Sequence, residues 1–173
     1  MTRIRKGHHY PFPGFMVQLP KWVSKHKPTY MTKCYRFTDS CLFDLYDEDQ
    51  WDVNKLFGFS IGWHHRTSFR FGWRPILETG QIEIVAYEYH DGIRERTTPI
   101  HRIEVNSSYQ FILSYHPREQ KTEYVISNTK KFVKFFNRPY LEKKHGLGYT
   151  LGLYFGGNER APQDIQIHKC KKG

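Results

Sequence analysis

Short segments in which apolar and polar residues alternate recur throughout the chain, as is typical of half-buried β-strands. In TSFRFGW, Phe69, Phe71 and Trp73 fall on one face of a strand, and Ser68 and Arg70 fall on the other. Further segments of this kind are YRFTDSCLFDLY, KLFGFSIGW, GQIEIVAYEYH, TPIHRIEV, SYQFILSYH, TEYVIS, YTLGLYFGG and DIQIHK. Turn-forming sequences such as HDG, HPRE and GGNERAP separate them, so the pattern predicts an all-β sandwich or jelly roll.

The first 30 residues break this pattern, because they are basic, rich in aromatic residues and interrupted by prolines at positions 11, 13, 20 and 28. Prolines at this spacing argue against a continuous helix or a central strand. We therefore interpret residues 1–30 as an extended arm, held by the domain's own surface or by a partner chain. Residues 31–173 are predicted to form a single jelly-roll domain of two antiparallel sheets, in which residues 130–146 form a short helix or an irregular basic loop.

Composition adds a strong positive charge to this picture. The chain has 173 residues, the length of one domain, and a formal net charge of +10. Such a charge attracts polyanions: nucleic acid, acidic polysaccharide, an anionic surface or an acidic protein. The sequence contains no recognition-helix, zinc-finger or RNP-type signature, which argues against nucleic acid as the partner. No apolar run has the length of a membrane span, so no membrane partner is predicted.

The cysteines and the start of the chain bear on its compartment. Cys34, Cys41 and Cys170 have no metal-ligand spacing, and we interpret them as reduced thiols of an intracellular protein, with a Cys34–Cys41 bridge as the alternative. The first residues lack the apolar region of a secretory signal. The sequence thus predicts a cytoplasmic or virion-assembled protein, or an extracellular one from which a signal was removed. No cofactor is predicted, and no metal either, because the adjacent His64 and His65 would face opposite ways on a strand.

Candidate chemistry comes from polar residues on three predicted neighbouring strands, Lys55, Ser68, Arg70, Tyr87 and Tyr89. A guanidinium binds a carboxylate with two parallel hydrogen bonds and stays charged, so this set suits an anionic ligand. A tyrosine serves as acid or base when a nearby cation lowers its pKa, which is otherwise near ~10. Each residue also has a plain structural interpretation: a solvated surface lysine, an arginine paired across strands with Glu83 or Glu88, and tyrosines that simply pack.

These residues stand in an order that resembles a known enzyme family. The matching stretches are KLFG from Lys55, where the family has KLPG, then Ser68-Phe69-Arg70 with Trp73-Arg74, Tyr87-Glu88-Tyr89, and YFGGN with AP and DIQI from Tyr154 to Ile167. They resemble the concanavalin A-like jelly-roll polysaccharide lyases, most closely polysaccharide lyase family 14, the alginate and glucuronan lyase group. The resemblance implies catalytic roles for Lys55, Ser68, Arg70, Tyr87 and Tyr89, and we predict substrate-binding roles for Arg74 and Tyr154 within the matching stretches. His64 and His65 are also predicted to bind substrate, because their place in the sequence would let them line the groove near Ser68.

Charge and resemblance together predict that the protein binds acidic polysaccharide in a concave groove, with β-elimination cleavage of a uronate polymer as the enzymatic version. Whether the chain is an enzyme stays open at this point. The alternative, from another class of protein, is a non-enzymatic structural component of a larger assembly, such as a phage virion or tail protein that reuses a lectin-like fold. On that alternative the arm contacts other protein subunits, as extended segments do when they add to a neighbouring sheet edge.

Overall fold

The protein is an all-β sandwich of two antiparallel sheets, as the sequence predicts. The computed structural model describes residues 2–11, 18–95, 97–128, 132–139 and 145–170, with only the backbone described for 132–139. In chain order the strands are β1 (Thr2–Ile4), β2 (Pro20–Val23), β3 (Thr29–Phe37), β4 (Asn54–Ser60), β5 (Ser68–Ile76), β6 (Gln81–His90), β7 (Ile93–Arg94), β8 (Thr98–Glu104), β9 (Ser108–His116), β10 (Lys121–Asn128), β11 (Phe132–Pro139), β12 (Gly146–Leu151) and β13 (Ile165–Lys169). Two single 3₁₀ turns, Asp39–Cys41 and Glu48–Trp51, are the helical elements of the described part, and neither has the length to span a membrane.

Each sheet combines strands that are consecutive in sequence with strands that are distant in sequence. The first sheet has the order β1-β13-β3-β9-β10-β11, and the second has the order β2-β12-β4-β5-β6-β7, with β8 also paired to β6. The second sheet contains the three strands β4, β5 and β6 on which the candidate residues were predicted. These strands are consecutive and antiparallel, so short connections bring their side chains into register.

The core lies between the sheets and is built largely from aromatic rings. Phe69, Phe71 and Trp73 of β5 are buried there, as their alternation predicts. The Phe71 ring lies 5.3 Å from Phe111 of β9 and 5.0 Å from Tyr124 of β10, centroid to centroid. Because such rings bury a large area each, a chain of low overall hydrophobic content still forms a continuous core.

The prediction of a helix or loop over residues 130–146 is wrong for part of the segment. The backbone of Phe132–Pro139 forms β11, which pairs with β10 at the edge of the first sheet. The prediction gave weight to the basic residues of the segment, which also contains Pro139. An edge strand tolerates both, because its outer side needs no hydrogen-bond partner and a proline at its end removes no ladder bond. Residues 130, 131 and 140–144 of the same prediction lie outside the described part of the chain.

The described parts of the arm pack on the chain's own sandwich. Strand β1 pairs with β13 at the edge of the first sheet, and β2 pairs with β12 at the edge of the second. Between them, the Gly7 amide donates to the Ala161 carbonyl at 2.8 Å, and Arg3 forms an ion pair with Asp164. The arm was predicted to be held either by the domain's own surface or by a partner chain, and its described residues contact the domain's own surface. The domain boundary at residue 30 stays a prediction.

The cysteine prediction needs correction, because Cys34 forms a disulfide with Cys170 rather than remaining reduced or pairing with Cys41. Strands β3 and β13 are antiparallel with Tyr35 opposite Lys169, which brings the next pair of residues, Cys34 and Cys170, to a Cα–Cα distance of 5.1 Å. A pairing across 136 residues depends on this strand order and cannot be deduced from spacing. Cys41 is a buried free thiol whose pKa is raised to about 12 by burial.

Candidate functional site

The candidate residues meet on the outer face of the second sheet, away from the core. In the cross-strand register Arg70 lies between Gly58 and Tyr87, and Ser68 lies between Ser60 and Tyr89. Directly opposed residues of paired strands share a face, so these two rows are adjacent on one surface. We call this surface the polar face and define it by Lys55, Ser68, Arg70, Tyr87 and Tyr89.

Lys55 reaches the polar face because of a β-bulge in β4. Phe57 is opposite Phe71, yet Lys55 is opposite Gly72, so β4 has one residue, Leu56, more than β5 over this stretch. Strict alternation would place Lys55 on the core side with Phe57. The extra residue reverses the direction of the side chain, which is a common function of bulges near binding sites.

Arg70 is a buried cation without a carboxylate partner among the residues that the structure describes. Its side chain is only 6% exposed, its Nη2 donates to the Gly152 carbonyl at 2.8 Å, and its buried Nε has no hydrogen-bond partner among those residues. No ion pair within the described part of the chain involves Arg70 or Lys55. Burial lowers the pKa of Arg70 to about 10, against the opposing effect of nearby phenols such as Tyr87, so the group is charged at neutral pH.

The acidic residues considered as cross-strand partners of Arg70 are engaged elsewhere. Glu83 accepts a hydrogen bond from Nε of Arg74 at 2.7 Å and forms an ion pair with Arg102. Glu88 faces the interior, where its carboxylate accepts from the Tyr124 hydroxyl at 2.6 Å. The structural interpretation of Arg70 as half of a surface ion pair therefore does not hold.

Lys55 forms the second buried cation of the site. Its Nζ donates to the Gly156 carbonyl at 2.8 Å and lies 5.0 Å from the Tyr87 ring centroid and 5.4 Å from that of Tyr154. The Gly156 backbone is held in turn by Asn54, whose side-chain oxygen accepts from its amide at 2.6 Å. Burial first, and the Arg70 charge second, lower the pKa of Lys55 to about 8. This amine therefore titrates close to neutral pH.

The pKa of Tyr87 is shifted in the opposite direction from the sequence expectation. Burial and a hydrogen bond with Tyr89 raise it to about 12, and the nearby Arg94 only partly opposes this. A cation does lie over the Tyr87 ring, but the loss of water around the hydroxyl outweighs it. Tyr87 is therefore a proton donor at neutral pH rather than a ready base.

The loop between β4 and β5 brings both predicted histidines to the end of the polar face nearest Ser68. Nδ1 of His64 lies 2.7 Å from the Tyr149 hydroxyl, and the His65 ring packs edge-on against Tyr89 at 5.3 Å. Burial, with smaller contributions from His65 and Arg70, lowers the pKa of His64 to about 4, so His64 is neutral at physiological pH.

Arg74 is the predicted site residue that the structure does not bring into the cluster. It lies on the same face as Arg70 but four residues further along β5, where it binds Glu83 and lies over the Trp51 ring at 5.6 Å. Tyr154, by contrast, lies beside Lys55, through a backbone bridge between the two residues and the contact of the ammonium with the ring.

His9 and Tyr10, for which no role was predicted, pack against the Tyr154 ring beside Lys55. The His9 ring stacks on Tyr154 at 5.1 Å, and Tyr10 meets the same ring edge-on at 5.1 Å. Tyr10 is also close enough to Arg70 to influence its pKa. The aromatic residues of the arm were the sequence feature that could have indicated this contact. The position of the arm depends on backbone hydrogen bonds with distant residues, such as that from the Phe155 amide to the His9 carbonyl.

The arrangement can bind an anion between two cations and can supply groups that titrate near neutral pH or hold a proton firmly. Among the described residues, no group of three or more His, Cys, Asp or Glu side chains could hold a metal ion. The side chains of the polar face offer a guanidinium, an amine, a serine hydroxyl and two phenols.

Comparisons with known proteins identify the fold. No protein-family model matches the chain, and no curated protein sequence matches it. The structure is similar to the alginate lyase from Klebsiella pneumoniae, with a TM-score of 0.57 and 9% identity over 81% of this chain but 56% of the lyase. It is also similar to a functionally unknown protein from Saccharomyces cerevisiae, with a TM-score of 0.52 and 7% identity over 98% of this chain and 83% of that one. The chain has the concanavalin A-like jelly-roll fold that the sequence predicts.

Proposed function

We propose that the protein binds acidic polysaccharide on the polar face, in the manner of polysaccharide lyase family 14. The observation that supports this most directly is Arg70, a buried guanidinium with an unpartnered Nε and no carboxylate partner in the described part of the chain. A buried charge is costly unless it is paired. A ligand carboxylate next to Nε would supply the missing charge and the missing acceptor together.

The second buried cation, Lys55, favours a uronate rather than a simple anion as the ligand. Lys55 lies over the Tyr87 ring, and Arg70 is directly opposite Tyr87 in the register of β5 and β6. One of them would bind the carboxylate, while the tyrosine hydroxyls and Ser68 would face the sugar hydroxyls. The net charge of +10 would further concentrate an anionic polymer around the protein.

The enzymatic version of the proposal is β-elimination. Arg70 would neutralise the uronate carboxylate and thereby acidify the proton on the adjacent carbon. A base would remove this proton, the electron pair would form a C=C bond, and the glycosidic C–O bond would break, with its oxygen taking a proton from an acid. The pKa values favour neutral Lys55, at about 8, as the base and Tyr87, at about 12, as the acid.

The test is to incubate the protein with alginate, glucuronan, hyaluronan and pectate, and to follow binding by calorimetry and the unsaturated product by ultraviolet absorbance. Arg70→Ala should lower a lyase rate by roughly 10²–10³, the scale of one lost transition-state charge stabiliser. Arg102→Ala, which removes an equal charge from an exposed position on the same sheet, is the matched control. Activity that survives Arg70→Ala would remove this residue from the mechanism, and binding without product would leave a lectin-like module.

The alternative of a structural component in a larger assembly, such as a phage virion or tail protein, stays a prediction. The arm that motivated it packs on its own chain over residues 2–11 and 20–23, beside the candidate site. No described contact specifically favours the assembly role. Protein subunits as partners of the arm likewise stay a prediction.

A further inference from the structure

A continuous series of rings leads from the buried centre of the polar face to the protein surface. Tyr87 and Tyr89 are 5.9 Å apart between centroids, Tyr89 and His65 are 5.3 Å apart, and His65 and Trp63 are 5.7 Å apart. Tyr87 is buried beside Arg70, whereas Trp63 is 62% exposed. The rings thus form one aromatic surface that begins at the two cations and ends in solvent.

The loop that presents Trp63 is held in place by backbone hydrogen bonds. The Trp63 carbonyl accepts from the Arg66 amide at 2.8 Å and from the Thr67 amide at 3.1 Å. The Ile61 amide donates to the Thr67 carbonyl at 3.0 Å, which closes the base of the loop. An indole on a hydrogen-bonded loop is preorganised, so a ligand that covers it loses little conformational entropy.

A sugar ring has a hydroxyl edge and a face of C–H groups, and the latter is apolar. An indole face is suited to cover that C–H face, since it offers a large rigid area with partial negative charge at its centre. A uronate chain combines both features that this surface would need, since its carboxylates suit Arg70 and Lys55 and its ring faces suit the aromatic series.

We propose that Trp63, with His65 behind it, forms a second sugar subsite, so that the protein takes an internal stretch of an acidic polysaccharide rather than a single terminal sugar. This inference rests on the proposed function. It adds the length of the bound polysaccharide and the path that the polysaccharide follows across the protein. The chain runs from the carboxylate site at Arg70, past Tyr89, to the exposed indole.

The experiment compares oligosaccharides of two and six uronates, cut from alginate and from glucuronan, by calorimetry on the full chain. Trp63→Ala should weaken hexasaccharide binding about tenfold, the scale of one aromatic contact with its buried area, and should leave disaccharide binding unchanged. Trp63→Phe should recover part of the loss. Trp51→Ala is the matched control, because Trp51 is 56% exposed but lies by Arg74 at the other end of the face.

The outcomes separate the two levels of the proposal. If Arg70→Ala abolishes binding while Trp63→Ala leaves hexasaccharide affinity intact, or weakens both lengths equally, the subsite is refuted and the proposed function stands. If the wild-type protein binds neither length from either polymer, the proposed function fails and the subsite with it. Thermal melting of each variant checks that the sandwich is folded.

Discussion

At the scale of single residues, Lys55 and Arg70 suit the binding of an anionic ligand but lower the stability of the free protein. Each cation is buried, and within the described part of the chain its hydrogen-bond acceptor is a backbone carbonyl, that of Gly156 for Lys55 and that of Gly152 for Arg70. In the folded protein the charged form of Lys55 is disfavoured, which is why its pKa is lowered to about 8. A residue that destabilises its own fold in this way is typical of a binding site, where the ligand restores what folding loses.

This gives a stability prediction for Lys55→Met. Unfolded lysine keeps its proton to a higher pH than Lys55 does in the fold, so the unfolded chain binds more protons between about pH 8 and 10.5 and stability rises with pH there. Below pH 8 the full cost of the buried charge is present. Methionine removes it and should raise the free energy of unfolding at pH 7 by about 1–3 kcal/mol, after the loss of the bond to Gly156.

Urea unfolding of wild type and Lys55→Met at pH 7 and pH 10.5 measures this difference. The gain should shrink towards zero at the higher pH, because wild-type Lys55 is then neutral. Lys121→Met is the control, since Lys121 forms surface ion pairs with Glu119 and Glu123 and should gain nothing. A variant less stable than wild type at pH 7 would show that the buried charge is compensated.

At the scale of elements, the contact between β4 and β5 depends on Gly58. A Cβ at this position would lie 2.8 Å from Cγ of Arg70 and would also collide with the backbone of Phe69. The glycine of the KLFG segment therefore lets the Arg70 side chain lie flat against the neighbouring strand. The requirement is steric, and any side chain at residue 58 would force β4 and β5 apart and shift Arg70 with its strand.

We expect Gly58→Ala to lower the free energy of unfolding by about 1–3 kcal/mol, the usual range for overpacking, and to abolish binding of acidic polysaccharide as fully as Arg70→Ala does. Gly80→Ala is the control for backbone strain alone, because Gly80 has a φ of 65° but open space around it, so the added methyl group displaces no neighbouring atoms. That control should lose stability and keep binding. Retained binding by Gly58→Ala would contradict the proposed position of Arg70 in the site.

The N-terminal segment is the second element with a consequence for the site. Tyr10 packs against Tyr154, which in turn contacts Lys55. Tyr10→Ala should weaken polysaccharide binding several-fold, the scale of one aromatic contact, with little change in melting temperature because β1 keeps its pairing. Tyr46→Ala, at an 89% exposed tyrosine, should change neither quantity. Unchanged affinity of Tyr10→Ala would mean that the arm does not form part of the site.

At the scale of the whole molecule, sequence analysis predicted what depends on local alternation. The all-β class, the core positions of Phe69, Phe71 and Trp73, and the shared face of Ser68 and Arg70 all follow from the period of two. The direction of Lys55 does not follow from it, because the bulge at Leu56 interrupts the alternation. Lys55 was included because it lies on a strand predicted to neighbour the others, and the family resemblance supported that choice.

The remaining differences come from contacts between distant parts of the chain. His9 and Tyr10 reach the site through hydrogen bonds with residues 155 and 161, and no local pattern reports that pairing. Arg74 carries the expected charge on the expected face, but Glu83 on the neighbouring strand neutralises it. The raised pKa of Tyr87 depends on how completely other segments exclude water from its hydroxyl, which again is a property of the assembled fold.

The Cys34–Cys170 disulfide should be the largest single contribution of a covalent bond to stability. In the chain-entropy description, a bridge across 136 residues stabilises the fold by roughly 5 kcal/mol at 25 °C. Adding a reductant to the wild-type protein should therefore lower its denaturation midpoint clearly, while the double variant Cys34→Ser/Cys170→Ser should show the lower midpoint with or without reductant. Equal midpoints for oxidised and reduced wild type would show that the bridge does not form in solution.

The same bridge has a consequence for how the protein survives proteases. The strands that carry the polar face, β4, β5 and β6, lie between residues 34 and 170, so a single cut in any surface loop of that range leaves two fragments that are still covalently joined. The fragments also share two hydrogen-bonded sheets, which hold them in place after the backbone is severed. A nicked molecule would migrate as one band on a non-reducing gel and as two after reduction, and it would retain the complete set of site residues.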